Sequence, residues 1–331
     1  MPKYSIIIPV FNRPDEIDEL LASLTKQSFH DFEVILVEDG SSQTCQAIAG
    51  HYANQLNVRY FFKENEGQGY ARNYGYQRAE GEVLVVFDSD CLIPPNYFKE
   101  VNDYLSLHQV DAFGGPDTAL DSFTPIQRAI SHTMTSFFTT GGIRGRKKQI
   151  GTYYPRSFNM GITQKVFQKT GGYRIPFMGE DLEFSIRIIT AGFKTALIPN
   201  AFVYHKRRTN LIQFYKQINY FGRARINLTR FHSGHLNLVH LFPLIFVLGF
   251  LCAFILSFLG QNLGFLGIEC YVIYLLLIFL EALLKSKSLK VALYAPLIAL
   301  IQMLGYAVGL IHEAIQKFRG IDPNKQYIDL Y

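Results

Sequence analysis

The sequence predicts an α/β domain with a mostly parallel sheet, followed by a C-terminal region of apolar helices. In residues 4–90, short apolar runs rich in β-branched residues alternate with helical segments, and this order is typical of a parallel sheet. After residue 237 the chain changes character, because three long apolar runs follow one another there. The hydrophobic fraction of 49% therefore averages two chemically different regions.

Four strands and three helices are predicted in the first third of the chain. The predicted strands are short apolar runs bounded by turn residues, at 4–10, 32–42, 58–64 and 82–90. The predicted helices lie between them, at 12–28, 43–55 and 69–81. Pro14 and the two acids that follow it suit the beginning of the first helix, and Gly81 suits the end of the third.

Polar residues cluster where three of these strands end. The clusters are Asn12, residues 39–41 and residues 88–90. Ligands of open α/β sheets bind at the carboxyl ends of the strands, and we therefore expect the clusters to face one crevice. Asp88 and Asp90 could share a divalent cation there, which would cancel the repulsion between them. The alternative is a polar turn in which an Asp caps the next helix.

The middle of the chain, residues 112–205, is less regular. It contains a glycine-rich basic loop at 140–151 and a helical stripe formed by Leu182, Ile186 and Ile189. The four cysteines show no CxxC spacing, and we interpret them as free thiols in a reducing compartment. The N-terminus lacks the basic and apolar segments of a signal peptide, which predicts a cytoplasmic first domain.

The net charge of +5 is unevenly distributed. Residues 184–268 contain no acid, and their cations are Arg187, Lys194, Lys206, Arg207, Arg208, Lys216, Arg223, Arg225 and Arg230. Such a segment suits nucleic acid, phosphorylated ligands or an anionic membrane surface. Its position directly before an apolar run favours the membrane.

The apolar runs at 238–259, 263–284 and 291–312 are each long enough to span a bilayer. The positive-inside rule predicts that the first two form a hairpin with both ends in the cytoplasm. The third run either crosses the membrane, lies in its interface or re-enters. Its GxxxG sequence (305–309) is a weak signal of helix packing that also occurs by chance. A soluble three-helix bundle is the alternative for the whole region.

Five segments in order carry a resemblance to a known family. They are SIIIPVFNRPDEIDELLASLTKQSF, FEVILVEDGSS, ENEGQGYARNYGYQRAEGEVLVVFDSD, NMGITQKVFQKTGGY and GEDLEFSIRIITAGF. Together they span about residues 4–208, and the chain thereby resembles the family 2 glycosyltransferases. The resemblance implies a Rossmann-like GT-A catalytic domain at 1–208, a basic amphipathic interfacial linker at 209–235 and a membrane region at 236–331.

The resemblance also implies a donor site and a metal site. Pro9, Val10 and Asn12 would line the nucleotide pocket, and Asp39 would face the base, usually a uracil. Gly67 and Gly69 would let the backbone approach the ligand. The donor-binding set implied in this way is Pro9, Val10, Asn12, Asp39, Arg72, Asn73, Asp88 and Ser89. Mg²⁺ or Mn²⁺ would be held by Asp90, with Asp88 and His205 as further ligands.

Glu180 and Asp181 are the implied catalytic pair. In the family, the Asp of this motif takes the proton of the acceptor hydroxyl during a single inverting displacement. Glu180 would orient a loop or contact the acceptor. By themselves, acids at the beginning of a helix also complement its dipole. The chain contains no Trp and therefore lacks the QxxRW motif of processive members, which favours addition of one sugar at a time.

The sequence thus predicts an inverting glycosyltransferase with its catalytic domain on the cytoplasmic face of the inner membrane, attached as a multi-pass protein. The predicted donor is a nucleotide-diphosphate sugar, UDP-linked rather than GDP-linked, and the predicted acceptor is lipid-linked or a glycan. Membrane lipids are expected partners, and nucleic acid is not. The alternatives are a polyprenyl-phosphate sugar synthase and an inactive membrane-anchored protein that binds nucleotide sugars. A Rossmann oxidoreductase is disfavoured, because no GxGxxG follows the first strand.

Overall fold

A computed structural model of the chain describes residues 1–120, 122–141, 151–321 and 323. These residues form two compact units. The described part of the first unit is 1–118 and 151–205, and that of the second is 119–141 and 206–323, without residues 121 and 322. Residues 119–141 thus belong with the C-terminal helices, whereas the sequence places them in a catalytic domain at 1–208. Most of the predicted glycine-rich basic loop lies outside the described residues.

The first unit is built on a seven-stranded sheet of order β3-β2-β1-β4-β8-β6-β9. Its strands are β1 (Tyr4–Val10), β2 (Phe32–Asp39), β3 (Val58–Lys63), β4 (Val83–Phe87), β6 (Ala112–Gly114), β8 (Asn159–Thr163) and β9 (Thr195–Leu197). The first four strands are parallel to one another, and so are β6 and β9. β8 runs antiparallel to both β4 and β6. The prediction of a mostly parallel α/β sheet is confirmed.

Burial on both faces explains why these segments form strands. Every residue of β2 and β4 is buried, as expected for strands that are covered by helices on both sides. The covering helices are α1 (Pro14–Leu24), α2 (Gln46–Tyr52), α3 (Gln68–Tyr76), α4 (Tyr97–Leu107), α7 (Gln164–Thr170) and α8 (Glu180–Thr190). Each fully buried Ile or Leu stabilises the core by about 1.5–3 kcal/mol.

A second, small sheet closes the first unit. It has the order β5-β10-β7 and consists of β5 (Cys91–Leu92), β7 (Asp117–Thr118) and β10 (Val203–His205). β5 follows β4 directly and pairs antiparallel with β10, where His205 lies opposite Cys91. Residues 88–90 are therefore the turn between β4 and β5, and they do not lie in a strand.

The second unit is helical in its described residues. Its helices are α5 (Pro125–Thr135), α6 (Phe137–Thr140), α9 (Leu211–Leu228), α10 (Leu238–Phe258), α11 (Asn262–Ser286) and α12 (Leu289–Phe318). By length and composition, α10, α11 and α12 could each cross a membrane. α10 and α11 form the predicted hairpin, in which the Tyr271 hydroxyl donates a hydrogen bond to the Phe246 carbonyl over 2.7 Å.

Candidate active site

The parallel register of β1, β2 and β4 places their carboxyl ends at one edge of the sheet, as expected. Asn12 joins the loops that follow the first two strands. Its side-chain oxygen accepts hydrogen bonds from the backbone amides of Ser42 and Gln43 at 2.8 and 3.0 Å. Its own amide donates to the Ser41 hydroxyl over 2.7 Å. Asn12 has φ of +52°, a conformation that Asn tolerates better than most residues.

Asp39 organises the loop between β3 and α3. Its Oδ1 accepts hydrogen bonds from Lys63 Nζ at 2.7 Å and from the amide of Glu66 at 3.1 Å. Its Oδ2 accepts a hydrogen bond from the amide of Gly67 at 2.9 Å. The residue is buried, and both carboxylate oxygens are therefore used by the protein itself. Recognition of a base by Asp39 remains a prediction.

Gly67 and Gly69 are required where the beginning of α3 approaches the segment before α8. Gly67 has φ of +99°, and a Cβ at this position would lie 2.6 Å from the ring of Phe177. A Cβ at Gly69 would lie 2.3 Å from the carbonyl oxygen of Ile175. The sequence predicts that these glycines make room for a ligand; in the structure they make room for the chain at residues 175–177.

Arg72 connects the turn after β4 to the beginning of α8. Its NH2 atom lies 2.8 Å from Asp88 Oδ1, and its NH1 atom lies 3.0 Å from Glu180 Oε1. The Gln68 side chain also donates a hydrogen bond to Glu180. Arg72 is only 1% exposed, and its guanidinium lies 5.3 Å from the ring centre of Tyr173. The Arg72 guanidinium is thus buried between the two carboxylates that it binds.

Asn73 and the remaining predicted donor residues have simpler surroundings. The Asn73 side chain donates to the carbonyl of Tyr173 and accepts from its amide, at 2.7 and 2.8 Å. Both ends of its amide group are therefore used to hold the chain before α8. Pro9 and Val10 end β1, with Val10 buried, and Ser89 is a buried residue in the turn after β4.

A group of potential metal ligands lies at the same turn. One ligand atom from each of Asp90, Cys91 and His205 lies within 4.8 Å of the others. His205 Nε2 is 3.0 Å from Asp90 Oδ1, and Arg13 NH1 is 3.1 Å from Asp90 Oδ2. Carboxylate and imidazole suit Mn²⁺, and carboxylate suits Mg²⁺, whereas the thiol is a soft ligand that suits neither. The residues therefore fit the predicted cation, with Asp90 and His205 as the ligands.

Asp88 has a different neighbour from Asp90. It is bound by Arg72 and does not belong to the group of potential ligands found among the described residues. The turn between β4 and β5 aims the two carboxylates at separate partners, and a metal contact from Asp88 remains a prediction.

Glu180 and Asp181 are the first two residues of α8 and follow Gly179, which has φ of +96°. Asp181 Oδ2 accepts a hydrogen bond from Arg156 Nε over 2.7 Å. Burial raises the pKa of Asp181, but the charge and hydrogen bond of Arg156 outweigh it, and the pKa lies below its ordinary value. Burial, and then the charge of Asp181, raise the pKa of Glu180 above its ordinary value despite Arg72. The two adjacent acids thus differ in their readiness to hold a proton.

Sequence reasoning missed Arg13 and Arg156. Arg13 precedes α1 and binds Asp90, which is 77 residues away, and Arg156 precedes β8 and binds Asp181, 25 residues away. Neither residue belongs to a periodic pattern. The one available signal was that each acid needs a cation nearby when it is withdrawn from water.

Known proteins resemble this chain in sequence and in fold. The family model described as "Glycosyl transferase family 2" matches residues 5–171, which is half of the chain. A relative in Staphylococcus aureus, poly(ribitol-phosphate) beta-N-acetylglucosaminyltransferase TarS, is 36% identical over 115 residues, 34% of this chain and 20% of the relative. Validoxylamine A glucosyltransferase of Streptomyces hygroscopicus is 33% identical over 105 residues, 30% of this chain and 25% of the relative. The chain thus spans a quarter or less of the length of these two relatives.

A solved structure resembles most of the chain in fold. It is the mannosyltransferase PcManGT from Pyrobaculum calidifontis in complex with GDP-Man and Mn²⁺, with a TM-score of 0.59. The match covers 94% of this chain and 87% of that one, at 14% sequence identity. At this identity the similarity concerns the fold, and it confirms the predicted GT-A architecture.

Proposed function

Because this chain belongs to glycosyl transferase family 2, we propose that it transfers a sugar from a nucleotide-diphosphate donor to an acceptor hydroxyl with inversion at the anomeric carbon. The observation that carries the proposal is the Arg72 bridge. It fixes Asp88, from the turn that ends β4, and Glu180, from the beginning of α8, on one guanidinium. The bridge holds Asp88, on the predicted donor side, at a fixed position relative to Glu180, on the predicted acceptor side. A displacement reaction requires donor and acceptor to be held in a fixed relative position.

In the proposed reaction Asp181 accepts the proton of the acceptor hydroxyl. The hydroxyl oxygen forms a bond to the anomeric carbon while the bond from that carbon to the diphosphate breaks, and the diphosphate leaves with the electron pair. Arg156 supports this role in two ways: it orients the carboxylate through Nε, and it keeps the carboxylate ionised. Glu180 binds Arg72 and Gln68 and holds the beginning of α8 in place.

The divalent cation would be held by Asp90 and His205. Bound there, such an ion would neutralise negative charge that develops on the leaving diphosphate. The donor set of carboxylate and imidazole supports this assignment, as does the Mn²⁺ in the mannosyltransferase of similar fold. The Phe158 ring stacks on His205 at a centroid distance of 5.3 Å and restrains the orientation of the imidazole.

The proposed donor is a UDP-sugar. The name of TarS, an N-acetylglucosaminyltransferase, supports a hexosamine or a related hexose, whereas the mannosyltransferase structure holds a GDP-sugar. A panel of UDP- and GDP-sugars, assayed for released nucleoside diphosphate with Mn²⁺ or Mg²⁺, tests the donor. Metal-dependent release from a UDP-sugar is the expected result, and release from GDP-sugars alone would replace UDP with GDP in the proposal.

We further propose that α10 and α11 anchor the protein in the inner membrane and that the acceptor is lipid-linked. The two helices are almost wholly apolar, and only 6% and 11% of their most apolar segments are buried within the protein. The beginning of α10 follows the basic helix α9, and the end of α11 lies at Lys285 and Lys287. By the positive-inside rule, both of these ends would lie in the cytoplasm. A catalytic unit tethered in this way meets acceptors that are themselves held in the bilayer.

A polyprenyl-phosphate sugar synthase is the alternative, because its acceptor is also a membrane lipid. The product formed from a donor with a radiolabelled sugar distinguishes the two. A single sugar on polyprenyl phosphate indicates the synthase, and a longer lipid-linked glycan supports the proposed transferase. An inactive nucleotide-sugar-binding protein would bind the donor without releasing nucleoside diphosphate in the presence of native membranes.

A further inference from the structure

The third apolar helix, α12, packs closely along α9. A Cβ at Gly309 would lie 2.1 Å from the carbonyl oxygen of Asn219, and a Cβ at Gly222 would lie 2.2 Å from that of Tyr306. A Cβ at Gly305 would lie 3.2 Å from the ring of Tyr215. The GxxxG sequence at 305–309 is therefore a packing surface, and its partner is α9.

A buried polar cluster fastens the same pair of helices further along. Glu313 of α12 is fully buried, and its carboxylate binds Arg223 NH2 at 3.1 Å and Arg230 NH2 at 2.8 Å. Lys317 also donates to the carbonyl of Thr229 over 3.3 Å. From Gly305 to Lys317, α12 is thus bound to residues 215–230.

This contact restricts where α12 can lie. The apolar run at 291–312 is about as long as a bilayer crossing, which needs roughly 20 residues. Its second half is attached to α9, which carries Lys216, Arg223 and Arg225. If 291–312 crossed the bilayer, Lys216, which adjoins the Tyr215 packed against Gly305, would be carried into the hydrocarbon. Arg223, whose amide lies beside Gly309, would be carried to the edge of the hydrocarbon. The first half alone, residues 289–300, extends about 18 Å at 1.5 Å per residue and is too short to span roughly 30 Å.

The hairpin contacts point the same way. Ala292, Ala295 and Ala299 of α12 pack against Ile278 and Ala282, near the end of α11. At the other end of the hairpin, α10 and α11 pack on each other, where a Cβ at Gly264 would lie 2.0 Å from the amide nitrogen of Ser257. The most apolar segment of α12 is 50% buried, against 6% and 11% for α10 and α11. A helix that crossed the bilayer beside the hairpin would cover the hairpin along its length.

The uncovered face of α12 is a continuous apolar stripe. Its exposed members recur every three or four residues and are Leu293, Leu297, Leu300, Leu304, Val308, Ile311, Ile315 and Phe318. An apolar stripe on a helix whose other face carries polar contacts is typical of helices that lie in the membrane interface.

We propose that α12 does not cross the membrane but lies along its surface, with the apolar stripe against the lipid. The inference rests on the proposed membrane attachment, and it implies two crossings, by α10 and α11. The end of α12 is then on the same side of the bilayer as α9, which also keeps Lys317 and Arg319 on the side that the positive-inside rule favours. The occupant of the stripe is the lipid surface itself.

The test uses three variants of the full chain, each with one introduced cysteine. Each variant is probed in spheroplasts with a membrane-impermeant maleimide before and after permeabilisation. Cys252 and Cys270 are first replaced by Ser, and Cys45 and Cys91 are buried. The positions are Lys216→Cys in α9, Gln261→Cys between α10 and α11, and Arg319→Cys after α12. All three residues are exposed.

We expect Arg319→Cys to be labelled like Lys216→Cys, only after permeabilisation, and Gln261→Cys to be labelled in intact spheroplasts. Labelling of Arg319→Cys on the side opposite to Lys216→Cys would overturn the inference and leave the membrane anchor standing. Labelling of all three positions on one side would overturn both, because α10 would then not cross the bilayer.

Discussion

Arg156 Nε donates a hydrogen bond to Asp181 Oδ2 over 2.7 Å, and the two side chains form an ion pair at the beginning of α8. The arginine is 35% exposed and the aspartate 14% exposed, and water therefore screens the pair only in part. The ion pair gives Asp181 a fixed orientation and a pKa below its ordinary value.

The first prediction concerns the pH dependence of the Arg156→Gln variant. A base must be deprotonated to act. With Asp181 as the base, we expect its lowered pKa to keep the wild-type protein active into acidic solution. Removing the cation raises that pKa, and we expect the acid limb of the kcat/KM profile to move to higher pH. The exposed Arg174→Gln is the matched control and leaves the limb in place. An unchanged acid limb in Arg156→Gln would refute the assignment of Asp181 as base.

The second prediction concerns the stability of Arg72→Met. This change leaves Asp88 and the buried Glu180 without their shared cation, and breaking a buried ion pair costs about 3–5 kcal/mol. Because Asp88 is 32% exposed, we expect a loss at the lower end of this range. The free energy of unfolding, measured with guanidinium, should fall by about 3 kcal/mol. Lys99→Met, an exposed change on α4, serves as control and should stay within about 0.5 kcal/mol. Equal stabilities of the two variants would contradict the structural role of Arg72.

The same variant carries a pH signature. The pKa of Glu180 already lies above its ordinary value, and loss of Arg72 raises it further. When folding raises the pKa of a carboxyl group, its ionised form destabilises the folded state at pH values above that pKa. This destabilisation is lost as the pH falls and the group becomes protonated. The stability difference between wild type and Arg72→Met should therefore shrink in acid.

The third prediction concerns the metal. Asp90 and His205 are the proposed ligands, and we expect Asp90→Ala and His205→Ala each to weaken Mn²⁺ binding at least roughly tenfold, about 1.4 kcal/mol. The titration is followed by the electron paramagnetic resonance of free Mn²⁺, which needs no substrate. His30→Ala, at an exposed position, is the control. Wild-type affinity in both site variants would place the ion elsewhere.

The fourth prediction follows from the contact of Arg13 with Asp90, at 3.1 Å. A guanidinium on a ligand carboxylate opposes a second cation there, because like charges repel. We expect Arg13→Gln to bind Mn²⁺ a few-fold more tightly than the wild type in the same titration. Weaker binding in this variant would show that Arg13 supports the ion site.

The sheet could be predicted from the sequence because its strands are local features. The segments at 4–10 and 58–64 coincide with β1 and β3 to within a residue, since apolar runs between turn residues have few other ways to be buried. The small sheet could not be predicted, because strands of two or three residues such as β5 and β7 carry no periodic signal.

The pairings within the site were beyond sequence reasoning for a different reason. Its acids were found from motifs, but their partners lie far along the chain: Glu180 is bound by Arg72, 108 residues away, and Asp90 by Arg13. Which cation meets which acid is decided by how the sheet brings loops together. The same holds for the GxxxG sequence at 305–309, whose partner is α9 and not another apolar helix.

The variant Asp181→Asn tests whether Asp181 is the base of a glycosyl transfer. The measurement is the release of nucleoside diphosphate from the preferred donor in the presence of native membranes, together with the donor Kd from calorimetry. We expect release to fall by at least about 100-fold while the donor Kd stays within roughly two-fold, because the amide keeps the shape of the side chain but cannot take a proton. Release at the wild-type rate in Asp181→Asn would show that Asp181 is not the base.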